Sequence, residues 1–203
     1  MIEISSEAVE RVENILSEVP GGAQKALSAA MNRGLAKVRS AAFKEVRTVY
    51  AVQYAALKKA TKVKVKNTSK GNLAGEISFS GVKIPLYKFK VTPQAIGTRA
   101  TVKGSLMQGG GMTEFANAFI AMMPNGHIGA FERTGTQSMP SRTKSHEESK
   151  YTEKISELMG LSAAQMISNL DVMNKIEADA QETVNARIEH EIDRILNGYG
   201  GKK

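Results

Sequence analysis

The sequence has no cysteine and no tryptophan, and aromatic residues make up only 5% of its 203 residues. Without cysteine the chain can form no disulfide, no thiolate zinc site and no cysteine nucleophile, which fits a reducing compartment. Because aromatic residues are scarce, the core must be built from Ala, Val, Ile, Leu and the ten Met. The lysine-rich segment 61–66 also lacks the interleaved aromatic side chains on which single-stranded nucleic acids stack.

Long apolar runs are absent as well. No stretch approaches the roughly 20 apolar residues that span a bilayer. The first residues, MIEISSEAVERVENILSEV, carry acids where a secretory signal has a basic region. We therefore expect a soluble protein that is made and kept inside a cell.

Catalytic and metal-binding patterns are also missing from the sequence. The three histidines, His127, His146 and His190, have no second ligand at the spacing that puts two metal ligands on one helix face. There is no Gly-x-Ser-x-Gly elbow, and the glycine-rich stretch 104–112 lacks the Lys-Ser/Thr ending of a phosphate-binding loop. We expect no enzyme activity, no cofactor and no metal. A hydrolase with an unrecognised site would rest on chain length alone.

The charge is positive and unevenly distributed. Lys and Arg number 28 against 20 Asp and Glu, and residues 58–103 hold ten Lys and Arg99 against the single acid Glu76. Lys62, Lys64 and Lys66 alternate along a predicted strand and so share one face. Such a face can contact successive phosphates without reading sequence, or an acidic neighbour. It can equally protect an exposed sheet edge from aggregation.

Three helices follow from apolar residues spaced at three and four positions. The first begins at Ser5 or Ser6, which can cap it, and stops at Pro20-Gly21-Gly22. The second, from about residue 23 to 49, has a buried side rich in Ala and Gly. The third runs from about residue 172 to 196 and packs as an amphipathic helix on the body.

Strands are predicted where the apolar spacing changes to two. The pattern predicts antiparallel strands, each with one solvent-exposed face, over residues 61–66, 73–79, 82–86 and 98–103. Between the apolar segments 116–123 and 128–131, Pro124-Asn125-Gly126 predicts a hairpin with a type I′ turn, because Asn-Gly tolerates the positive φ that this turn needs.

The predicted fold class is therefore α+β: an antiparallel sheet of about four to six strands packed by a long N-terminal helix, with a long C-terminal amphipathic helix. We predict a core domain at 1–133, an extended polar docking loop at 134–160, and a helical segment at 161–203 that packs on the core. The candidate interface with a neighbouring subunit or partner is Phe131, Glu132 and Arg133, where the loop begins, together with Arg142 and Lys144 within it.

The order of these parts resembles the minor tail protein Z family of long-tailed bacteriophages and prophages, over roughly residues 20 to 197. The motifs that carry the resemblance, in chain order, are Thr48-Val49-Tyr50, Gly71-Asn72-Leu73, Gly81-Val82-Lys83-Ile84-Pro85-Leu86, the hairpin ending in Gly129-Ala130-Phe131-Glu132-Arg133, Leu161-Ser162-Ala163-Ala164-Gln165-Met166, and Arg187-Ile188-Glu189-His190-Glu191. One departure is Gly160-Leu161-Ser162-Ala163, where family members often carry a Gly-Pro-Ser-Val-type turn.

The resemblance implies a structural virion protein that completes the head-proximal end of a long tail. Such proteins are expected to form a homo-oligomeric ring, commonly a hexamer, around the channel through which DNA passes. The implied partners are the tail terminator or tail-tube protein and the head connector proteins, with host cytoplasm as the site of assembly and no membrane. Lys62, Lys64 and Lys66 would then face DNA in the channel or an acidic partner. The alternative hypothesis is a basic module that binds nucleic acid non-specifically.

Overall fold

The computed structural model describes residues 3–69, 72–140 and 151–198. The helices run over α1 Ser6–Ile15, α2 Gly22–Val49, α3 Tyr54–Ala60, α4 Ala163–Ile167 and α5 Leu170–Leu196. The strands run over β1 Thr61–Lys66, β2 Glu76–Gly81, β3 Lys83–Pro85, β4 Lys90–Thr92, β5 Val102–Ser105, β6 Thr113–Phe115, β7 Ala118–Met122, β8 Ile128–Pro140, β9 Tyr151–Glu157 and β10 Met159–Ser162.

These elements confirm the α+β class, with long helices near both ends of the chain. In the described ranges all strand pairing is antiparallel, and it is spread over small sheets with the orders β1-β2, β10-β3, β4-β5-β6 and β7-β8-β9. The chain groups into two compact units. The first unit comprises Met1–Val46, Thr61–Gly81 and Ala164–Lys203, and the second comprises Arg47–Ala60 and Val82–Ala163. The predicted domain division at residues 133 and 160 stays a prediction.

The first unit has a helical core. The side chain of Ser5 accepts a hydrogen bond from the Ala8 backbone amide at 3.2 Å, which confirms the predicted cap of α1. Apolar residues of α1, α2 and α5 are buried together, as their helical spacing predicts. The buried members are Val12, Leu16, Ala26, Leu27, Ala30, Val184, Ile188, Ile192 and Ile195.

The small residues of α2 let α5 approach closely. A Cβ built on Gly34 would collide with Cγ2 of Val184, so only glycine fits without movement at this crossing. Beside this crossing, α2 also holds the segment that follows β1. The Thr68 amide donates to Asn32 Oδ1 at 2.8 Å, and the Thr68 hydroxyl donates to the Ser28 carbonyl at 3.1 Å. The long helix therefore supports both α5 and the β1–β2 ribbon.

The second unit buries its own smaller core. Leu86, Val91, Val102, Ile120 and Ala130 form this cluster, which draws on β4, β5, β7, β8 and the short 3-10 helix Leu86–Lys88. Strand β5 begins at Val102, so the strand predicted over 98–103 overlaps β5 only at residues 102 and 103. Residues 98–101 are exposed, and they have no buried face that would hold them in a sheet.

The hairpin between β7 and β8 is confirmed, with Ala118 opposite Glu132 and Met122 opposite Ile128. The predicted type I′ turn is wrong. The Gly126 amide donates to the Met123 carbonyl at 2.8 Å, which makes Pro124 and Asn125 the central residues. Proline fixes φ near −65°, whereas a type I′ turn needs positive φ at both central residues. The positive φ of 80° falls on Gly126, next in the chain.

The polar segment 134–160 contains paired strand where the sequence predicts an aperiodic loop. Strand β8 continues through Pro140, and β9 pairs with it from Tyr151 onward, with a shift in register between Arg133 and Ser138. Thr134 Oγ1 also donates to the Lys154 carbonyl at 3.0 Å. Because residues 133–135 and 154–156 are exposed, this ribbon carries no apolar alternation that could have revealed it.

Candidate assembly surfaces

Three predicted residues lie together at the start of the β8–β9 ribbon. Phe131 is 5% exposed and packs against Phe119 across the hairpin, with 6.2 Å between ring centroids. Glu132 is half-buried, opposite Ala118 on one side and Ser156 on the other. The guanidinium of Arg133 lies over the Phe119 ring at 4.8 Å from its centroid. Phe131 thus supports this surface from inside its unit, while Arg133 is exposed on it.

The other two predicted interface residues, Arg142 and Lys144, lie outside the described residues. The prediction that they extend the surface of Glu132 and Arg133 therefore stays a prediction.

A histidine–glutamate pair near the same surface was missed by the sequence analysis. His127 Nε2 lies 2.6 Å from Glu157 Oε1, and its ring meets the edge of Phe131 at 6.3 Å. The His127 amide also donates to Asn125 Oδ1 at 3.0 Å, which fixes the turn. A Cβ built on Gly129 would collide with the same Glu157 oxygen. The pair joins the hairpin to β9, and residues 30 apart carry no local signal of it.

The predicted lysine face exists on the β1–β2 ribbon. In the antiparallel register Lys62 is opposite Ser80, Lys64 is opposite Ser78 and Lys66 is opposite Glu76. Lys66 Nζ lies 2.9 Å from Glu76 Oε2, and both side chains are exposed. In the described chain Lys62 and Lys64 have no acid opposite them, so they are the uncompensated charges of this face.

The Lys66–Glu76 contact changes the titration of both groups. The hydrogen bond from Lys66, together with its positive charge, lowers the pKa of Glu76. The same bond and the carboxylate charge raise the pKa of Lys66. Because both groups are exposed, solvent screens this pair and it contributes little to stability. Its effect is to remove one of the three lysines from the charge that a partner would meet.

The opposite side of the ribbon faces an apolar cavity in the first unit. Its volume is about 470 Å³, and its lining includes Leu35, Leu73, Ile77, Phe79, Ile167 and Met173. These side chains include the alternating apolar residues predicted for β2, so the cavity accounts for that periodicity. Nothing in its lining identifies an occupant.

A buried acid lies on α5, at a position where helical spacing predicts an apolar residue. Glu191 is 2% exposed, and its carboxylate contacts Arg187 at 2.5 Å and Arg194 at 3.3 Å. Arg33, Lys37, Asp179 and other polar residues of α2 and α5 line a cleft of about 420 Å³ nearby. Lys37 and Asp179 are 3.7 Å apart, so cations and acids in this cleft partly offset each other.

The exposed side of α1 is acidic. Glu7, Glu10 and Glu13 are exposed on it, whereas Val12 is buried. The single base of the helix, Arg11, makes two contacts of 2.8 and 3.0 Å with the carboxylate of Glu189 on α5. Arg11 therefore binds within its own unit and leaves these three acids without an ion pair in the part of the chain that the structure describes.

Across the described residues no helix is both long and apolar enough to span a membrane. In the comparisons with known proteins, a family model described as prophage minor tail protein Z (GPZ) matches residues 5–199 of the 203-residue chain. Comparisons with curated proteins and with solved structures each found no match. The matched range begins at the cap of α1 and extends past the end of α5.

Proposed function

This chain belongs to the prophage minor tail protein Z family, and we propose from that premise that it completes the head-proximal end of a long phage tail. Membership makes it a minor tail structural protein of the virion. The proposal adds the position, a neck or adaptor ring between the tail tube or terminator and the head connector. It also adds the form, a homo-oligomeric ring, commonly of six copies, assembled in the host cytoplasm.

The family match over almost the whole chain is the observation that carries this proposal. The described surfaces are consistent with it, because a ring subunit needs docking surfaces of different character. Exposed lysines on β1, exposed acids on α1 and Arg133 at the start of the β8–β9 ribbon provide them. The role of the protein is then to join neighbours by shape and charge, and no catalytic group is needed for it.

The β8–β9 ribbon is the proposed docking arm. Its strands extend from the hairpin that is anchored by Phe131, with Arg133 at the base and Arg142 and Lys144 farther along the chain. From Arg133 at the base to Pro140, the eight residues of β8 that lie beyond the hairpin span about 26 Å at roughly 3.3 Å per residue. An arm of that length can reach a neighbouring subunit or the tail tube while its base stays packed in the second unit.

Assembly without the protein tests this proposal. Particles produced without it should contain tail tubes that are not joined to DNA-filled heads, and supplying the wild-type chain should restore joining. An Arg133→Glu chain should fold and restore joining poorly, and a Lys90→Ser chain, altered at an exposed position outside these surfaces, should restore it fully. Complete, DNA-delivering tails in the absence of the protein would refute the proposed role.

Non-specific binding to nucleic acid is the second candidate, favoured by the uncompensated Lys62 and Lys64. Two phosphate contacts would give a slope of about −1.8 in log affinity against log salt, at roughly −0.9 per contact on duplex DNA. A gel-shift titration across salt should show this slope, and Lys62→Ser/Lys64→Ser should remove it while Lys90→Ser should not. Negligible binding by the wild-type chain at low salt would eliminate this candidate.

A further inference from the structure

The lysine face of the β1–β2 ribbon holds two cations, Lys62 and Lys64, that no acid of their own unit pairs with in the described ranges. Lys62 and Lys64 project from the same face, about 6.6 Å apart at roughly 3.3 Å per strand residue. Their cross-strand neighbours Ser80 and Ser78 carry no charge. Edge protection would explain lysines here without a partner. It would not explain an unpaired acidic surface on another element of the same unit.

Helix α1 carries that acidic surface, and the helix dipole does not account for all of its acids. Glu7 lies in the first turn, where the helix dipole favours an acid. Glu13 lies in the last turn, where the dipole disfavours an acid and no base is present. Glu10 and Glu13, three residues apart, have Cβ atoms about 5–6 Å from each other. This separation is close to that of the two lysines on the ribbon, and flexible side chains can make up the difference.

We propose that Glu10 and Glu13 on α1 of one copy dock on Lys62 and Lys64 of a second copy. Across the described ranges no ion pair joins these two sets within one chain, so both sets remain available for a contact between chains. The two surfaces differ, so the contact is head-to-tail. Repetition of a head-to-tail contact gives a closed ring or an open filament. The inference rests on the proposed function in requiring self-association, and it identifies which surfaces meet.

A second copy fits the lysine face better than DNA does. DNA presents a long row of phosphates, whereas this face offers only two uncompensated cations, because Lys66 is neutralised by Glu76. Two carboxylates on one helix match two lysines in number and spacing. The charge complementarity therefore favours a protein partner of the composition of α1, and a second copy of the chain always carries that helix.

Charge exchange tests the contact in assembling tails. Lys62→Glu/Lys64→Glu and Glu10→Lys/Glu13→Lys should each lower the yield of complete tails about tenfold, because both replace attraction by repulsion. Combining all four changes restores opposite charges and should return the yield to within about twofold of wild type. Failure of the combination to restore assembly would overturn the proposal. So would a loss confined to the lysine variant, which would indicate DNA or another partner.

Cross-linking gives a readout that does not depend on assembly yield. Since the chain has no cysteine, Glu10→Cys/Lys64→Cys provides the only two thiols, and a short bismaleimide should link successive copies into a ladder. Glu10→Cys/Lys90→Cys is the matched control and should give none. Complete tails without a ladder would overturn this inference and leave the proposed function standing. Complete tails in the absence of the protein would instead refute the proposed function, and the purified chain would then serve for the cross-linking test.

Discussion

At the crossing of α2 and α5, we predict that Gly34→Ala lowers the stability of the protein. Helix propensity alone predicts the opposite change. Replacing a glycine in a helix by alanine normally stabilises the protein by about 1 kcal/mol. Here the new methyl group would collide with Cγ2 of Val184. The side chain of valine is stiff at χ1 and buried, so it has little room to move.

Overpacking of a well-packed core costs about 1–3 kcal/mol. Taking about 2 kcal/mol for the collision and subtracting about 1 kcal/mol for helix propensity, we expect Gly34→Ala to lower the free energy of unfolding by about 1 kcal/mol. In a chain of this size that corresponds to a fall of about 2–4 °C in Tm. Ala36→Gly, at an exposed position two residues along α2, measures the propensity contribution in the same helix.

Denaturant titration of Gly34→Ala, Val184→Ala and the double variant completes the test. Removing the methyl groups of Val184 makes room for the one added at residue 34, so the double variant should be more stable than the sum of the single effects predicts, by about 1 kcal/mol or more. If Gly34→Ala instead raises the free energy of unfolding by as much as Ala36→Gly lowers it, the two helices do not touch at Gly34 and this packing of α2 on α5 is wrong.

Three further predictions concern the hairpin, the ribbon and α5. Phe119→Asp should abolish folding of the second unit, because it places a charge against Phe131. Arg133→Glu should instead leave the circular dichroism spectrum unchanged and impair assembly. Equal loss of solubility in both variants would contradict the assignment of Phe119 to folding and Arg133 to assembly. On the β1–β2 ribbon, NMR titration should show the pKa of the Glu76 carboxyl below its usual value of 4.5, and Lys66→Ala should raise this pKa back towards that value. The small stabilisation by the pair is therefore present above pH 4.5 and is lost as the pH falls through the lowered pKa. Glu191→Ala should lower stability by about 2 kcal/mol, because it leaves partly buried Arg187 without its carboxylate partner; urea denaturation would measure it, and an unchanged midpoint would refute the structural role of the pair.

The helices could be predicted from the sequence because their signals are local. The buried residues of α1, α2 and α5 repeat at helical spacing, and the cap at Ser5 and the break at residues 20–22 fall within a few positions of the helix ends. The prediction of α2 differs from the observed start at Gly22 by one residue. Glu191 interrupts the apolar pattern of α5, and its burial depends on Arg187 and Arg194, which pair with it only in the folded helix.

The sheets were predicted less well because their pairing depends on distant segments. Strand β3 pairs with β10, more than 70 residues away, and no periodicity in residues 82–86 indicates that partner. The β8–β9 ribbon lacks apolar alternation in its exposed part and therefore reads as a loop. The hairpin itself was predicted, but the weight given to Asn125-Gly126 neglected Pro124, whose fixed φ selects a different turn. Gly126 supplies the positive φ one position later.

In the candidate surfaces, too, the local pattern could be predicted from the sequence and the contacts between distant residues could not. The lysine face of β1 follows from a period of two, and the structure adds that Glu76 neutralises Lys66, which only the strand register reveals. The cation–π contact of Arg133 with Phe119 likewise depends on the hairpin register. The roles of these residues in docking remain proposals, because docking involves atoms of other chains.

Imaging the protein within assembled particles tests the central claim most directly. The proposed function predicts a ring of density for this chain at the end of the tail nearest the head, in contact with the tail tube or terminator on one side and the head connector on the other. Within that ring, α1 of each copy should lie against the β1–β2 ribbon of the next. Density for the chain elsewhere along the tail, or mature particles that do not contain it, would contradict the account.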